Sequence, residues 1–128
     1  MAKIKFIKGV PSAFRGICYA VSTEQNLKIQ LFIALIVIFA AILLRIPKLH
    51  ILIILIVTFF SVILELLNTA VEKLIDKLSP HYDKDYGKIK DIVGGVALLG
   101  AILSVIIGIV ILFWPLFQTL WSLITQLK

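Results

Sequence analysis

Apolar residues run through this chain in long blocks, and the few polar residues inside those blocks fall on particular faces. Leu31 to Leu44 is uninterrupted and apolar, extended by Ile29 and Ile46 and flanked by Lys28 and Arg45. This predicts a first membrane span over 28–46, short but sufficient if the flanking cations snorkel to the headgroups. Pro47 stops a simple continuation, so Arg45 to His50 becomes a tight connection and the next span turns back. A second helix is predicted over 48–78, with Ser79-Pro80 as its stop. Ile92 to Phe113 then gives 22 residues without a charge, and a third span is placed over 91–114.

The flanking segments read differently. In residues 1–26, apolar Ile4, Ile7, Val10, Phe14, Ile17, Cys18 and Val21 recur at spacings of three, four and seven against Lys3, Lys8, Ser12, Arg15 and Ser22. That pattern predicts a surface helix lying in the membrane interface. Pro11 suits a first helical turn, so the main helix is expected to start there, after a looser basic lead over 1–10. This N-terminal segment lacks the apolar core and cleavage site of a signal peptide and is expected to stay on the mature protein. Ser79 to Lys90 is polar and rich in breakers, a loop able to fold back over the helix ends. Beyond Trp114-Pro115, residues 115–128 alternate aromatic and polar positions, as a short interfacial tail would. The whole is expected to be a single all-α membrane domain of three spans, with little chain left for a separate catalytic domain.

Within the second helix the polar residues are not scattered. At about 100° per residue, Thr58, Ser61, Asn68, Glu72 and Asp76 all fall within about 60° of Glu65. The opposite side carries Leu64, Leu66, Leu67, Ala70, Val71, Leu74 and Ile75. Counting about 1.5 Å per residue from His50, Glu65 lies roughly 22 Å along the helix and Glu72 about 10 Å further. With a hydrocarbon core about 30 Å thick, Glu65 sits just inside the far boundary and Glu72 and Asp76 reach the headgroups. A carboxylate at membrane depth costs about 2.5–3.5 kcal/mol even on insertion scales, so two of them on one stripe imply a site.

Composition and charge narrow what that site can be. The 128 residues are 61% hydrophobic, with a mean hydropathy of +1.10, well above the roughly 45–50% of soluble globules. The single Cys18 excludes an intramolecular disulfide and multi-cysteine metal motifs and reads as a small apolar filler. The net charge of +6 is spread beside the spans, which suits anionic lipid headgroups and argues against nucleic acid. Ten of the thirteen Lys and Arg lie on the face holding the N-terminus and the 79–90 loop. Positive-inside reasoning makes that face, and the N-terminus, cytoplasmic. Glu24, the only acid before Glu65, then joins Glu65, Glu72 and Asp91 near one interface.

Phosphate-loop, dinucleotide, H-E-x-x-H and G-x-S-x-G signatures are absent. His50 lies at the opposite membrane face, and His81 stands alone in a polar loop. The remaining carboxylates, amide, lysines and hydroxyls match what phosphoryl transfer to a lipid alcohol needs: carboxylates for Mg²⁺ against nucleotide phosphates, a lysine for charge, and a partly desolvated carboxylate as base. A transporter or ion-translocating subunit using Glu65 as its membrane carboxylate fits the same residues. So does a scaffold subunit held by the small Gly100/Ser104/Gly108 face, which suits close helix packing within or between chains.

Residues 65–76, Glu-Leu-Leu-Asn-Thr-Ala-Val-Glu-Lys-Leu-Ile-Asp, followed by Lys90-Asp91, resemble the E-x-x-N-[ST]-A-x-E-x-x-x-D … K-D signature of the prokaryotic integral-membrane diacylglycerol kinase and undecaprenol kinase family. The likeness extends from about Pro11 to Trp114 and includes Arg15-Gly16. It implies a homotrimer of three-span subunits in a bacterial cell membrane, with cytoplasmic-facing active sites at subunit boundaries that use ATP and Mg²⁺. By matching position, the resemblance makes Glu65 the base on the lipid hydroxyl and Asn68 its positioner. It makes Glu24 and Glu72 the metal carboxylates and places Lys90 and Asp91 on the nucleotide, with His81, Tyr82 and Asp83 close by. Ile89 stands where the family commonly has Ala, and Val93-Gly94-Gly95 fall where the family varies; both sit where lipid or adjacent helices pass, and so bear on substrate shape. Thr23-Glu24-Gln25-Asn26 looks more like the Gram-positive-type branch, which implies undecaprenol as the lipid and leaves diacylglycerol as the alternative.

Overall fold

A computed structural model describes residues 2–128 as four helices: α1 (Ala2–Thr23), α2 (Gln25–Leu43), α3 (Lys48–Leu78) and α4 (Lys84–Gln126). There is no strand among the described residues. The last three are each long and apolar enough to cross a membrane, and the protein is all-α with three membrane spans.

The surface helix departs from expectation at both ends. It runs unbroken from Ala2 through Pro11, so the basic lead is helical too, although Met1 lies outside the described residues. Pro11 removes one hydrogen bond to the carbonyl four residues back. On this exposed segment water can take that bond, while Ile4, Ile7 and Val10 continue the apolar face. The helix also ends at Thr23 rather than running to 26. Glu24 alone is extended, at φ −109° and ψ 114° with no side-chain cap, and α2 starts at the next residue.

The α2–α3 turn is a Schellman closure. Arg45 N–H donates to the Ile42 carbonyl at 3.1 Å and Ile46 N–H to the Ala41 carbonyl at 3.2 Å, which caps carbonyls that the helix end would leave unpaired. Arg45 occupies the left-handed position at φ 52°, which usually falls to glycine. Ile46 folds back onto Ala41 and Ile54, all three buried. Pro47 then opens α3 at a φ of −52°.

At the other end the loop is shorter than the 79–90 segment predicted, because α4 begins at Lys84. The Asp83 side chain accepts from the backbone N–H of Asp85 at 2.9 Å and of Tyr86 at 3.1 Å. This N-cap satisfies donors that a free helix start would leave bare. α4 also has no separate tail, since its 43 residues pass through Pro115. At about 1.5 Å per residue it is roughly 65 Å long, twice a hydrocarbon core. Beyond the proline, Thr119, Ser122 and Thr125 hydroxyls donate back to helix carbonyls. Phe113, Trp114, Phe117 and Trp121 stack along the same segment with ring centroids 5.8–6.3 Å apart. The hydroxyls are therefore satisfied within the helix, and the aromatic stacking supports it.

Gly100 and Ser104 set the α3–α4 approach. A Cβ on Gly100 would lie 2.6 Å from Leu64 Cδ1 and 3.7 Å from Ser61 Cα. The Ser104 hydroxyl bonds the Val57 carbonyl at 3.0 Å. The small-residue face thus packs within the chain at these two positions, whereas Gly94 and Gly108 have open space where a Cβ would go. Gly100→Leu should lower unfolding stability in detergent by about 1–3 kcal/mol, and Gly94→Leu should shift it much less. Equal effects of the two would show that α3 and α4 do not meet at Gly100.

Candidate active site

The polar stripe of α3 lies where the three spanning helices meet, with Ser61 and Asn68 buried. It runs along a groove that α2 and α4 wall on either side. Glu65, Asn68 and Glu72 line a cavity of about 530 Å³ together with Asn26 and Gln30 of α2 and Gly94, Ala97 and Ala101 of α4. The small α4 residues leave space in front of the carboxylates, which larger side chains would fill. Three of the sequence-predicted residues therefore share one site, and Glu72 and Glu24 both lie within electrostatic reach of Glu65.

A second polar cavity, also about 530 Å³, opens where α3 ends and α4 begins. It gathers His81, Tyr82, Asp83, Lys90 and Asp91, with Asp76 and Lys88 among its other walls. Lys90 is hydrogen-bonded and paired with Asp76. Asp76 is one turn beyond Glu72 on the same face of α3, so the two cavities follow one another along the stripe. Asp83 caps α4, a structural task the sequence reading did not foresee for it, and Tyr82 is 90% exposed.

Glu24 lines neither cavity. Its carboxylate pairs with Lys73 Nζ at 3.2 Å, and the same ammonium lies 5.1 Å from the centroid of the Tyr19 ring. Lys73 therefore ties the end of α1 and the Glu24 elbow to α3. Among the described residues no three His, Cys, Asp or Glu side chains converge as a metal cluster.

Toward the other membrane face the groove becomes apolar. A cavity of about 410 Å³ descends past Val57, Ile54 and Val37 to Leu112 and Phe113. It shares Gln30, Ile33 and Val105 with the carboxylate cavity, so one continuous channel leads from charged headgroup depth into the hydrocarbon.

Two polar atoms in this channel are buried without a partner, Asn68 Oδ1 and Gln30 Oε1. A buried polar atom left unpaired costs about 1–3 kcal/mol, which a rotation of either amide toward water or a hydrogen-bonding group would relieve. Asn68 belongs to the predicted set. Gln30 was missed, although an amide between Ile29 and Leu31 at the edge of an apolar run is itself a signal of a membrane-facing polar site.

The model of the family described as prokaryotic diacylglycerol kinase matches residues 11–112. A diacylglycerol kinase from Synechocystis sp. is 37% identical over 105 residues, which cover 81% of this chain and 60% of that protein. The chain thus spans about 60% of the length of the curated relative it matches.

The Lys73 tie is testable by itself. Exposed ion pairs and cation–π contacts contribute about 1 kcal/mol or less each. Lys73→Met should therefore speed amide hydrogen exchange over Tyr19 to Thr23 by about two- to tenfold while leaving α3 and α4 protected. Unchanged exchange in α1 would mean that the pair holds nothing.

Proposed function

Because the chain belongs to the prokaryotic diacylglycerol kinase family, we propose that it is a membrane lipid kinase, transferring the γ-phosphate of ATP to the hydroxyl of a lipid alcohol. The observation that carries this reading is the succession along α3 of a polar cavity at its end, the cavity lined by Glu65, Asn68 and Glu72, and an apolar cavity that shares Gln30, Ile33 and Val105 with the latter. A water-borne phosphate donor and a lipid-borne acceptor can each enter from its own side.

Glu65 takes the proton of the lipid hydroxyl as the oxygen attacks the γ-phosphorus; the bond to the β,γ-bridging oxygen breaks and ADP leaves. Asn68, held 8% exposed beside Glu65, orients that hydroxyl. Lys90 and Asp91, with His81, Tyr82 and Asp83, border the cavity that suits the nucleotide. The donor set also fits Mg²⁺, which binds through one or two carboxylates completed by phosphates and water and does not need a cage of three or more side chains. Glu72 and Glu24 are the residues that would hold it, Glu24 after exchanging its Lys73 partner. When bound, Mg²⁺ neutralises charge on the phosphate oxygens.

Undecaprenol is the proposed acceptor. A single long hydrocarbon chain suits the apolar descent, and the Thr23-Glu24-Gln25-Asn26 segment resembles the branch that acts on polyprenols. Diacylglycerol is the second reading, favoured by the name of the Synechocystis relative. A transporter reading uses Glu65 but gives the polar cavity at the α3–α4 turn no role. The proposed assembly is a homotrimer in a bacterial cell membrane with the N-terminus and the sites cytoplasmic. It is supported by the grouping of Lys and Arg on that face and by a channel whose Glu24 is set apart in a single chain. A neighbouring subunit would complete it.

Purified protein in bilayers, given γ-labelled ATP, Mg²⁺ and equal undecaprenol and diacylglycerol, should label lipid, with undecaprenyl phosphate the larger product. Glu65→Gln should lower turnover by about 10²–10⁴-fold with the fold retained. Absence of label in both lipids would refute the kinase reading; a predominance of phosphatidic acid would replace undecaprenol with the second reading.

A further inference from the structure

We propose that Lys73 is a specificity-determining residue of the nucleotide site: it yields the Glu24 carboxylate to a divalent ion that arrives with phosphate and withholds it from the free ion. This rests on the lipid-kinase reading and deepens it.

Three carboxylates stand at the headgroup end of the site, and lysines hold two of them. Glu24 pairs with Lys73 at 3.2 Å, and Asp76 pairs with Lys90. Among the described residues Glu72 has no such partner. A cation entering the groove therefore meets Glu72 directly, whereas Glu24 has an ammonium to give up first. Keeping both cations on Glu24 would set two like charges side by side, which is unfavourable outside bulk water. Lys73 and the ion compete for one carboxylate.

Lys73 itself faces away from the groove. It follows Glu72 in sequence and so projects about 100° round α3 from it. Glu72 lines the carboxylate cavity, while Lys73 lines an open cavity of about 580 Å³ with Tyr19, Leu74, Asp76 and Lys77. Its ammonium lies 5.1 Å from the Tyr19 ring centroid. Asp76 is a wall both of this cavity and of the polar cavity proposed for the nucleotide. An ammonium released from Glu24 thus stands next to the nucleotide cavity, on its α1 side.

Charge separates the two ligands. A free divalent ion that takes Glu24 leaves the Lys73 ammonium without an anion and with a like charge nearby. An ion that arrives on a nucleotide brings negative phosphates, so the ammonium exchanges one anion for another. Lys73 weakens the first event and not the second. Both side chains of the pair are partly exposed, 37% for Lys73 and 30% for Glu24, so the effect is that of a modest ion pair, about two- to fivefold in affinity.

The full-length chain in bilayers is titrated with Mn²⁺ alone, read by electron paramagnetic resonance, and with the Mg²⁺ complex of a non-hydrolysable ATP analogue, read by equilibrium dialysis. Lys73→Met should bind Mn²⁺ alone about two- to fivefold more tightly than the parent, and the nucleotide complex no more tightly. Lys73→Arg keeps a cation on Glu24 and should match the parent in both titrations. In a Glu24→Gln background, Lys73→Met should bring no gain, which separates competition for this carboxylate from a general change of charge. Mn²⁺ affinity unchanged or lowered by Lys73→Met, an equal gain for both ligands, or a gain that survives Glu24→Gln would overturn the proposal even while lipid is phosphorylated. Absence of bound Mn²⁺ in every variant would overturn the metal role of Glu24 and this inference with it. The expected Mn²⁺ pattern without any labelled lipid would overturn the kinase reading and leave the competition at Glu24 standing.

Discussion

An ionisable side chain at the edge of the hydrocarbon is cheapest where it meets water, a partner or a substrate, because exposing it to lipid tails costs about 2.5–3.5 kcal/mol even on insertion scales. Glu65 is that residue here, and the rest of the architecture follows from giving it a walled channel. α3 carries the polar stripe, α2 and α4 flank it, and the small α4 residues Gly94, Ala97 and Ala101 keep the space in front of it open. Below the stripe, the same three helices close at the Schellman turn, where Ala41, Ile46 and Ile54 are buried together. The site is thus set above a packed base.

The same physics sorts the channel by depth. Headgroup-level cations and carboxylates surround the α3–α4 turn, the Glu65–Glu72 segment lies between, and hydrocarbon lines the descent. Phosphoryl transfer between a nucleotide and a lipid needs both media to meet at one carboxylate, since positioning and charge neutralisation supply most of the catalysis. The Gln30–Ser61 bond lies where the carboxylate cavity meets the apolar one.

Much of this was legible in the sequence because one face of α3 is polar against an otherwise apolar background. Glu65, Asn68 and Glu72 could be assigned to one stripe by angle alone, and the bounds of α3 follow from Pro47 and Ser79-Pro80. Other features depended on contacts that spacing does not encode. Glu24 reads in sequence as one of the acids gathered at one interface, yet Lys73 from a helix far along the chain holds it. Pro115 suggested a break, yet backbone-bonded hydroxyls and stacked aromatics carry α4 past it. Gln30 sat at the start of an apolar run and was absorbed into it. Only the packing of α2 against α3 brings it to the border of two cavities.

The central claim is that one stripe divides its work, Glu65 serving the lipid hydroxyl and Glu72 the metal-bound phosphates. Titrating Mg·ATP onto Glu65→Gln and Glu72→Gln variants in bilayers, with bound nucleotide measured directly, tests that division. The account predicts nucleotide affinity within about threefold of the parent for Glu65→Gln, which has lost a base and not a phosphate contact. For Glu72→Gln it predicts a loss of about tenfold or more that disappears when Mg²⁺ is withheld from both proteins. Equal loss of nucleotide binding in the two variants, or none in either, would contradict it.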